Sequence, residues 1–104
     1  MEVIVSGMAQ QDISKYGKYL LKEVSSNFAK DFSLNMTNQL NKIAVNPYIG
    51  NSDVSRFTKS QEIRYFLYRK YRMIIFYEVQ NTQILIVRVL NMSMNVSNIL
   101  NIQP

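Results

Sequence analysis

Residues 62–95 read EIRYFLYRKYRMIIFYEVQNTQILIVRVLNMSMN, and the fold turns on how they pair. Runs of β-branched and aromatic residues over 63–68, 72–79 and 83–90 predict three strands. The connections are short, so the strands are expected to meander antiparallel. Gln80-Asn81-Thr82 reads as a three-residue hairpin loop with Asn81 supplying a left-handed residue. Such a loop sets Val79 opposite Gln83, Phe76 opposite Ile86 and Ile74 opposite Arg88. Alternation then gives one face Met73, Ile75, Tyr77, Val79, Leu85, Val87 and Val89, almost wholly apolar and in need of a covering layer. The other face takes Arg72, Ile74, Phe76, Glu78, Ile84, Ile86, Arg88 and Leu90. Placing Ile63, Tyr65 and Leu67 on the apolar side sends Arg64, Phe66 and Tyr68 to the mixed one. On this reading Arg64, Arg72 and Arg88 share one face, interleaved with aromatics.

The covering layer is found upstream. Glu2–Ser6 suits a short strand, and Ser6 offers an N-cap to a helix starting just after it. From Met8 to Val24, the residues Ala9, Ile13, Tyr16, Leu20, Leu21 and Val24 recur at three and four, the stripe of an amphipathic helix. Ser25-Ser26-Asn27 breaks the pattern and caps a second helix carrying Phe28, Ala29, Phe32, Met36, Leu40, Ile43 and Ala44. Pro47 ends it, because the residue before proline is pushed out of the helical region. So short a connection makes the pair an antiparallel hairpin, and neither helix has enough apolar surface to stand without a sheet. Asn46–Asn51 is turn chemistry and 51–61 an irregular loop. The tail 96–104 is left open between strand, helical turn and a segment ordered by a partner. The expected class is α+β: an N-terminal strand and a helical hairpin on one face of a small, mostly antiparallel sheet, ordered β-α-α-β-β-β. The chain is read as a single domain over 1–104, with its core at about 2–95.

Composition bounds the chemistry. The 104 residues are 47% hydrophobic and 18% charged, with net charge +5 and pI near 9.6. That is globular composition with a bias towards anionic partners. With no cysteine and no histidine, disulfides, thiolate metal sites and histidine acid–base catalysis are all excluded. Only Gly7, Gly17 and Gly50 are present, and they form no phosphate loop. Neither a carboxylate cluster for a metal nor a cofactor motif is found, so no metal and no cofactor are expected. The absence of a long apolar run predicts no membrane span, and the N-terminus does not read as a secretion signal. The expected compartment is the cytoplasm.

The order of elements, together with particular residues, resembles the RelE/ParE superfamily of bacterial toxins. Ser6-Gly7-Met8-Ala9 with Asp12-Ile13 is similar to their opening "S-x-x-A-x-x-D-[LI]". Asn46-Pro47 with Gly50 resembles the end of their second helix. Ile63-Arg64, Tyr71-Arg72 and Tyr77 resemble "R…Y-R-x-x-Y", and Ile84–Leu90 resembles "I-x-I-x-R-V-L". The resemblance implies the toxin of a type II toxin–antitoxin (plasmid stabilisation) pair, held inactive by a cognate antitoxin. ParE-like members act on DNA gyrase, while RelE-like members cut mRNA in the ribosome. A non-toxic member serving only as a binding module is the third reading. Asn91 stands where the family often places a histidine, followed by Met92, Ser93, Met94 and Asn95 in place of the usual charged residues.

Metal-free RNA cleavage needs a base for the 2′-OH, charge stabilisation at the phosphorane and an acid for the leaving oxygen. Arginine supplies the second through bidentate contacts but serves poorly as acid or base. The residues named for such catalysis are Arg64, Arg72, Arg88, Lys70 and Tyr71, with Tyr68 a further proton carrier. Those named for binding an anionic target are Arg64, Arg69, Lys70, Arg72, Arg88 and Asn91. Arg88 has a structural alternative as the partner of Glu78 or Glu62.

Overall fold

The computed structural model describes residues 1–55, 57–58 and 62–102. Strand β1 (Glu2–Val5) leads into helices α1 (Gly7–Glu23) and α2 (Ser26–Val45). Strands β2 (Ile63–Tyr68), β3 (Met73–Val79) and β4 (Gln83–Asn91) come next, and helix α3 (Val96–Ile102) closes the described chain. The sheet order is β1-β4-β3-β2, with β1 parallel to β4 and the other pairs antiparallel.

The helix caps are those the sequence offers. Ser6 Oγ accepts from the Ala9 amide at 3.0 Å and donates to the Val87 carbonyl at 2.9 Å, so one hydroxyl both caps α1 and ties it to β4. Ser25 Oγ accepts from the Phe28 amide at 3.2 Å to start α2, and Asn46 ends that helix in extended backbone ahead of Pro47. Ala9, Leu20, Phe32, Met36 and Ile43 are buried against Met73, Ile75, Tyr77, Ile84, Ile86 and Val89. Burial of each large apolar side chain there contributes roughly 1.5–3 kcal/mol. Leu21, Val24 and Phe28, expected in the buried stripes, are instead 60%, 48% and 50% exposed.

The hairpin register differs from the expected one. The Gln80 amide donates to the Gln83 carbonyl, so the loop is the two residues Asn81-Thr82. The only described non-glycine residue at positive φ is Arg72, so Asn81 is not left-handed. Val79 therefore faces Ile84 and Tyr77 faces Ile86; after a bulge Phe76 faces Arg88 and Ile75 faces Val89. One extra residue in β4, Val87, reverses the alternation along that strand. Ile84 and Ile86 thus join the helix-covered side in place of Leu85 and Val87.

Strand β2 is also turned over. Tyr68 stands opposite Met73, and Phe66 and Tyr68 pack with the helices. Ile63, Tyr65 and Leu67 lie on the far side with Ile74, Phe76 and Leu90, beneath Val96 and Leu100 of α3 and beside Phe57. The mixed face is therefore a second small core, and part of the tail left open by sequence is its lid. Arg72 lies outside β3, at φ 54° and ψ 42° in the turn after the 3₁₀ segment Arg69–Tyr71. Of the irregular loop, Asn51 bridges to Tyr65 of β2; residues 56 and 59–61, and 103–104 of the tail, lie outside the described residues.

Candidate functional site

The β2–β3 turn builds one end of the sheet and brings most of the candidate residues together. Its geometry is set by Tyr71, whose hydroxyl donates to Asp31 Oδ2 of α2 at 2.6 Å and lies 3.2 Å from the Phe28 carbonyl. Asp31 also receives Lys70 Nζ at 2.7 Å and Asn35 Nδ2 at 3.0 Å. The Lys70 ammonium, then Tyr71, holds the Asp31 carboxyl below the usual carboxylate range. Burial, and after it the hydrogen bond to Asp31, pushes the Tyr71 phenol far up. Burial also raises Tyr68, to about 12, and its hydroxyl has no hydrogen-bond partner among the described residues. Tyr16 is raised by burial as well, and its hydroxyl reaches the Tyr71 carbonyl at 3.5 Å. These phenols are stiff, protonated parts of the core, with Phe32 edge-on to Tyr16 and Tyr71.

Arg88 lies behind this turn. Its Nε meets Asp12 Oδ2 at 2.7 Å and its Nη2 meets Asp12 Oδ1 at 2.8 Å. Asp12 Oδ2 also accepts from the Val89 amide at 3.0 Å, on the strand just past the bulge. Arg88 is 8% exposed, and the Asp12 hydrogen bond raises its already high pKa. Its partner is thus neither Glu78 nor Glu62. Asn91 is likewise engaged: Nδ2 donates to the Tyr71 carbonyl at 3.3 Å, while Oδ1 accepts from the Ser93 amide at 2.9 Å and the Ser93 hydroxyl at 2.6 Å. Asn91 therefore staples the end of β4 to two turns.

Arg64 is at the other end of the sheet. It stands opposite Tyr77, donates from Nη1 to the Gly50 carbonyl at 2.9 Å and lies 4.9 Å from the centre of the Tyr48 ring. Four strand residues, roughly 13 Å, separate it from Tyr68, where the turn begins. The expected common face of Arg64, Arg72 and Arg88 is therefore not formed. Arg64 stands opposite Tyr77 on the helix side, Arg88 stands opposite Phe76 and is held by Asp12 of α1, and Arg72 is exposed on the turn. What does come together is Arg69, Lys70, Tyr71 and Arg72 with Asn91, bound to the Tyr71 carbonyl, and Arg88 lines a groove beside Asn91.

A groove of about 290 Å³ opens beside this end, lined by Lys15, Tyr16, Tyr19, Arg88, Asn91 and Met94 among others. From sequence, Lys15 and Tyr16 fall only on the two sides of a helix stripe, Asp12 belongs to a motif with no partner in view, and Asp31 goes unnoticed. The signal for Asp12 is present, since a carboxylate on the stripe edge of α1 faces the sheet and needs a cation. Among the described residues no group of three or more acidic side chains is placed to hold a metal ion, and no helix is long and apolar enough to cross a membrane.

Residues 3–96 match the family described as ParE toxin of type II toxin-antitoxin system, parDE, and the chain belongs to it. Among solved structures, a chain from the chromosomal ParDE TA system of P. aeruginosa shares the fold with a TM-score of 0.74. It is 12% identical, and the match covers 88% of this chain and 95% of that one. No curated protein matches by sequence.

Proposed function

We propose that this toxin arrests growth by binding DNA gyrase and is neutralised by a cognate ParD-like antitoxin. The observation that carries the reading is the Arg88–Asp12 clamp. Of the residues named for RNA cleavage, Arg88 is committed to a buried carboxylate, Tyr71 and Lys70 to Asp31, and Arg64 to the Gly50 carbonyl, which leaves Arg72 open on the turn with no base beside it in that set. A protonated phenol beside a carboxylate is a poor acceptor for a 2′-OH proton. A toxin that works by occupying its target needs no such acceptor. It needs a rigid, charged surface, and Lys15, Arg69 and Arg72 supply one outside either ion pair found among the described residues.

The antitoxin is expected to use the apolar side of the hairpin, where Leu21, Phe28 and Leu34 are exposed, as a bed for an amphipathic helix. With gyrase as target, the cytoplasm is the expected site of action. The test is inducible expression and then assay of the purified protein. Inhibited supercoiling with accumulated cleaved DNA, and a DNA-damage response in the arrested cells, is the expected result. Codon-linked mRNA cuts would overturn it in favour of a ribosome-dependent endonuclease, and unimpaired growth would mark a binding module without toxicity.

A further inference from the structure

The unpaired cations of the β2–β3 turn gather at one end of the sheet. Strands β2 and β1 start, and β3 ends, at the far end, where Glu62, Glu2 and Glu78 stand with Arg64, Lys42 and the N-terminal ammonium, so that end is of mixed charge. The opposite end carries Arg69, Lys70 and Arg72 on the turn, Arg88 on β4, and Lys15 and Lys18 on the stretch of α1 that crosses it at Tyr16. The carboxylates Asp12 and Asp31, both near this end, are already held by Arg88 and by Lys70 with Tyr71. Lys15, Arg69 and Arg72 are left facing solvent without a carboxylate partner among the described residues.

We propose that this end binds the phosphate backbone of duplex DNA directly and without sequence preference. The inference rests on the gyrase reading for its setting, since gyrase works on DNA, but it concerns a second partner at the same surface. Three features favour DNA over an acidic protein or an RNA strand. First, the turn is rich in charge and poor in exposed apolar surface, the composition of a nucleic-acid interface; protein interface cores are depleted of charge. Of the large exposed apolar residues, Leu34, Val45 and Ile49 lie away from the turn, while Tyr19, Phe28 and Met94 flank it. Second, Arg69 and Arg72 are three residues apart around a tight convex turn, with guanidinium forks free to take phosphate oxygens. Third, single strands are gripped by stacking on open aromatic faces. Here Tyr16, Tyr68 and Tyr71 pack edge-on against neighbours within the core, which leaves Tyr19, 52% exposed, as the open ring of the groove rather than a row of stacking faces.

The experiment is fluorescence anisotropy of a labelled random-sequence duplex titrated with the purified toxin, without gyrase, over a range of salt concentrations. The log affinity is expected to fall linearly with log salt, with a slope of about −3 for three to four phosphate contacts. The variant Arg69→Ala with Arg72→Asn, asparagine being chosen because it tolerates the left-handed backbone, is expected to flatten the slope by about two units. The loss should be equal on two unrelated sequences, while Lys42→Ala at the opposite end changes nothing. Binding that ignores salt, an equal loss with Lys42→Ala, or tighter capture of polyglutamate or single-stranded RNA would each overturn the proposal. Duplex binding in a protein that leaves gyrase untouched would sink the gyrase reading and leave this one standing; gyrase poisoning without duplex binding would do the reverse.

Discussion

Arg88 and Asp12 meet side-on across the seam between β4 and α1, at 2.7 and 2.8 Å, and the same carboxylate takes the Val89 amide. Both side chains are 10% exposed. Removing one partner strands a buried charge, at about 3–5 kcal/mol. Arg88→Ala and Asp12→Ala are therefore expected to lower the urea midpoint steeply. Loss of toxicity in either would report loss of fold. The double change Asp12→Leu with Arg88→Met is expected to recover most of the stability, short of the share from the orphaned Val89 amide. Equal midpoints for wild type and Arg88→Ala would refute the assignment.

Tyr68 gives the opposite expectation. Its hydroxyl is buried with no partner among the described residues, so Tyr68→Phe removes a desolvated polar group. The variant should match or exceed wild-type stability, by up to about 1 kcal/mol, and keep full toxicity. A toxicity defect in this well-folded variant would restore Tyr68 as a proton carrier.

At the far end, Gly50 is required for space. A Cβ there would lie 2.5 Å from Tyr77 Oη and 2.9 Å from the Tyr65 carbonyl. That hydroxyl accepts from the Gly50 amide at 2.8 Å and donates to the Pro47 carbonyl at 2.7 Å. Gly50→Ala should destabilise by about 1–3 kcal/mol through overpacking. Tyr77→Phe should cost a similar amount, because it leaves the Gly50 amide unsatisfied. Thermal melts of the two variants decide the matter; an unchanged melt in either refutes the close approach.

Two titrations run in opposite directions. Asp31 is depressed in the folded state, so its contribution is full above the ordinary carboxylate range and is lost as pH falls below it. Tyr68 and Tyr71 are raised, and their neutral forms are favoured by folding. Their contribution holds below about pH 10 and is lost as pH rises towards 12 and beyond. Tyrosinate absorbance should thus rise late, together with unfolding. Asp31→Asn should flatten the acid limb of the stability profile; an acid limb identical to wild type would contradict the Asp31 network.

The order of elements was legible because each signal is local: caps at Ser6 and Ser25, a stop at Pro47, and periods of 3.6 and 2. The faces were less so, for two reasons. A two-residue loop and the extra residue Val87 each shift parity, and neither leaves a compositional mark. Strand β2 is apolar on both sides because α3 and Phe57 cover the second face, so hydrophobicity alone does not choose between Tyr65 and Phe66 as the helix-facing residue. Arg69, Lys70 and Arg72 stay together in space because they are neighbours in sequence on one tight turn. Arg64 does not join them, because β2 is turned over and sets it opposite Tyr77, and Arg88 is drawn to Asp12 of α1.

The parallel pairing of β1 with β4 bears on timing. Glu2–Val5 find their neighbours only in Gln83–Ile86, near the other end of the described chain. During synthesis the first strand, and with it the seat of α1 at Asp12, waits for Gln83–Val89 to appear. Contacts so distant in sequence form slowly. Until β4 is made, α1 lacks the strand that seats Asp12, and the helical hairpin has only part of the sheet it packs on.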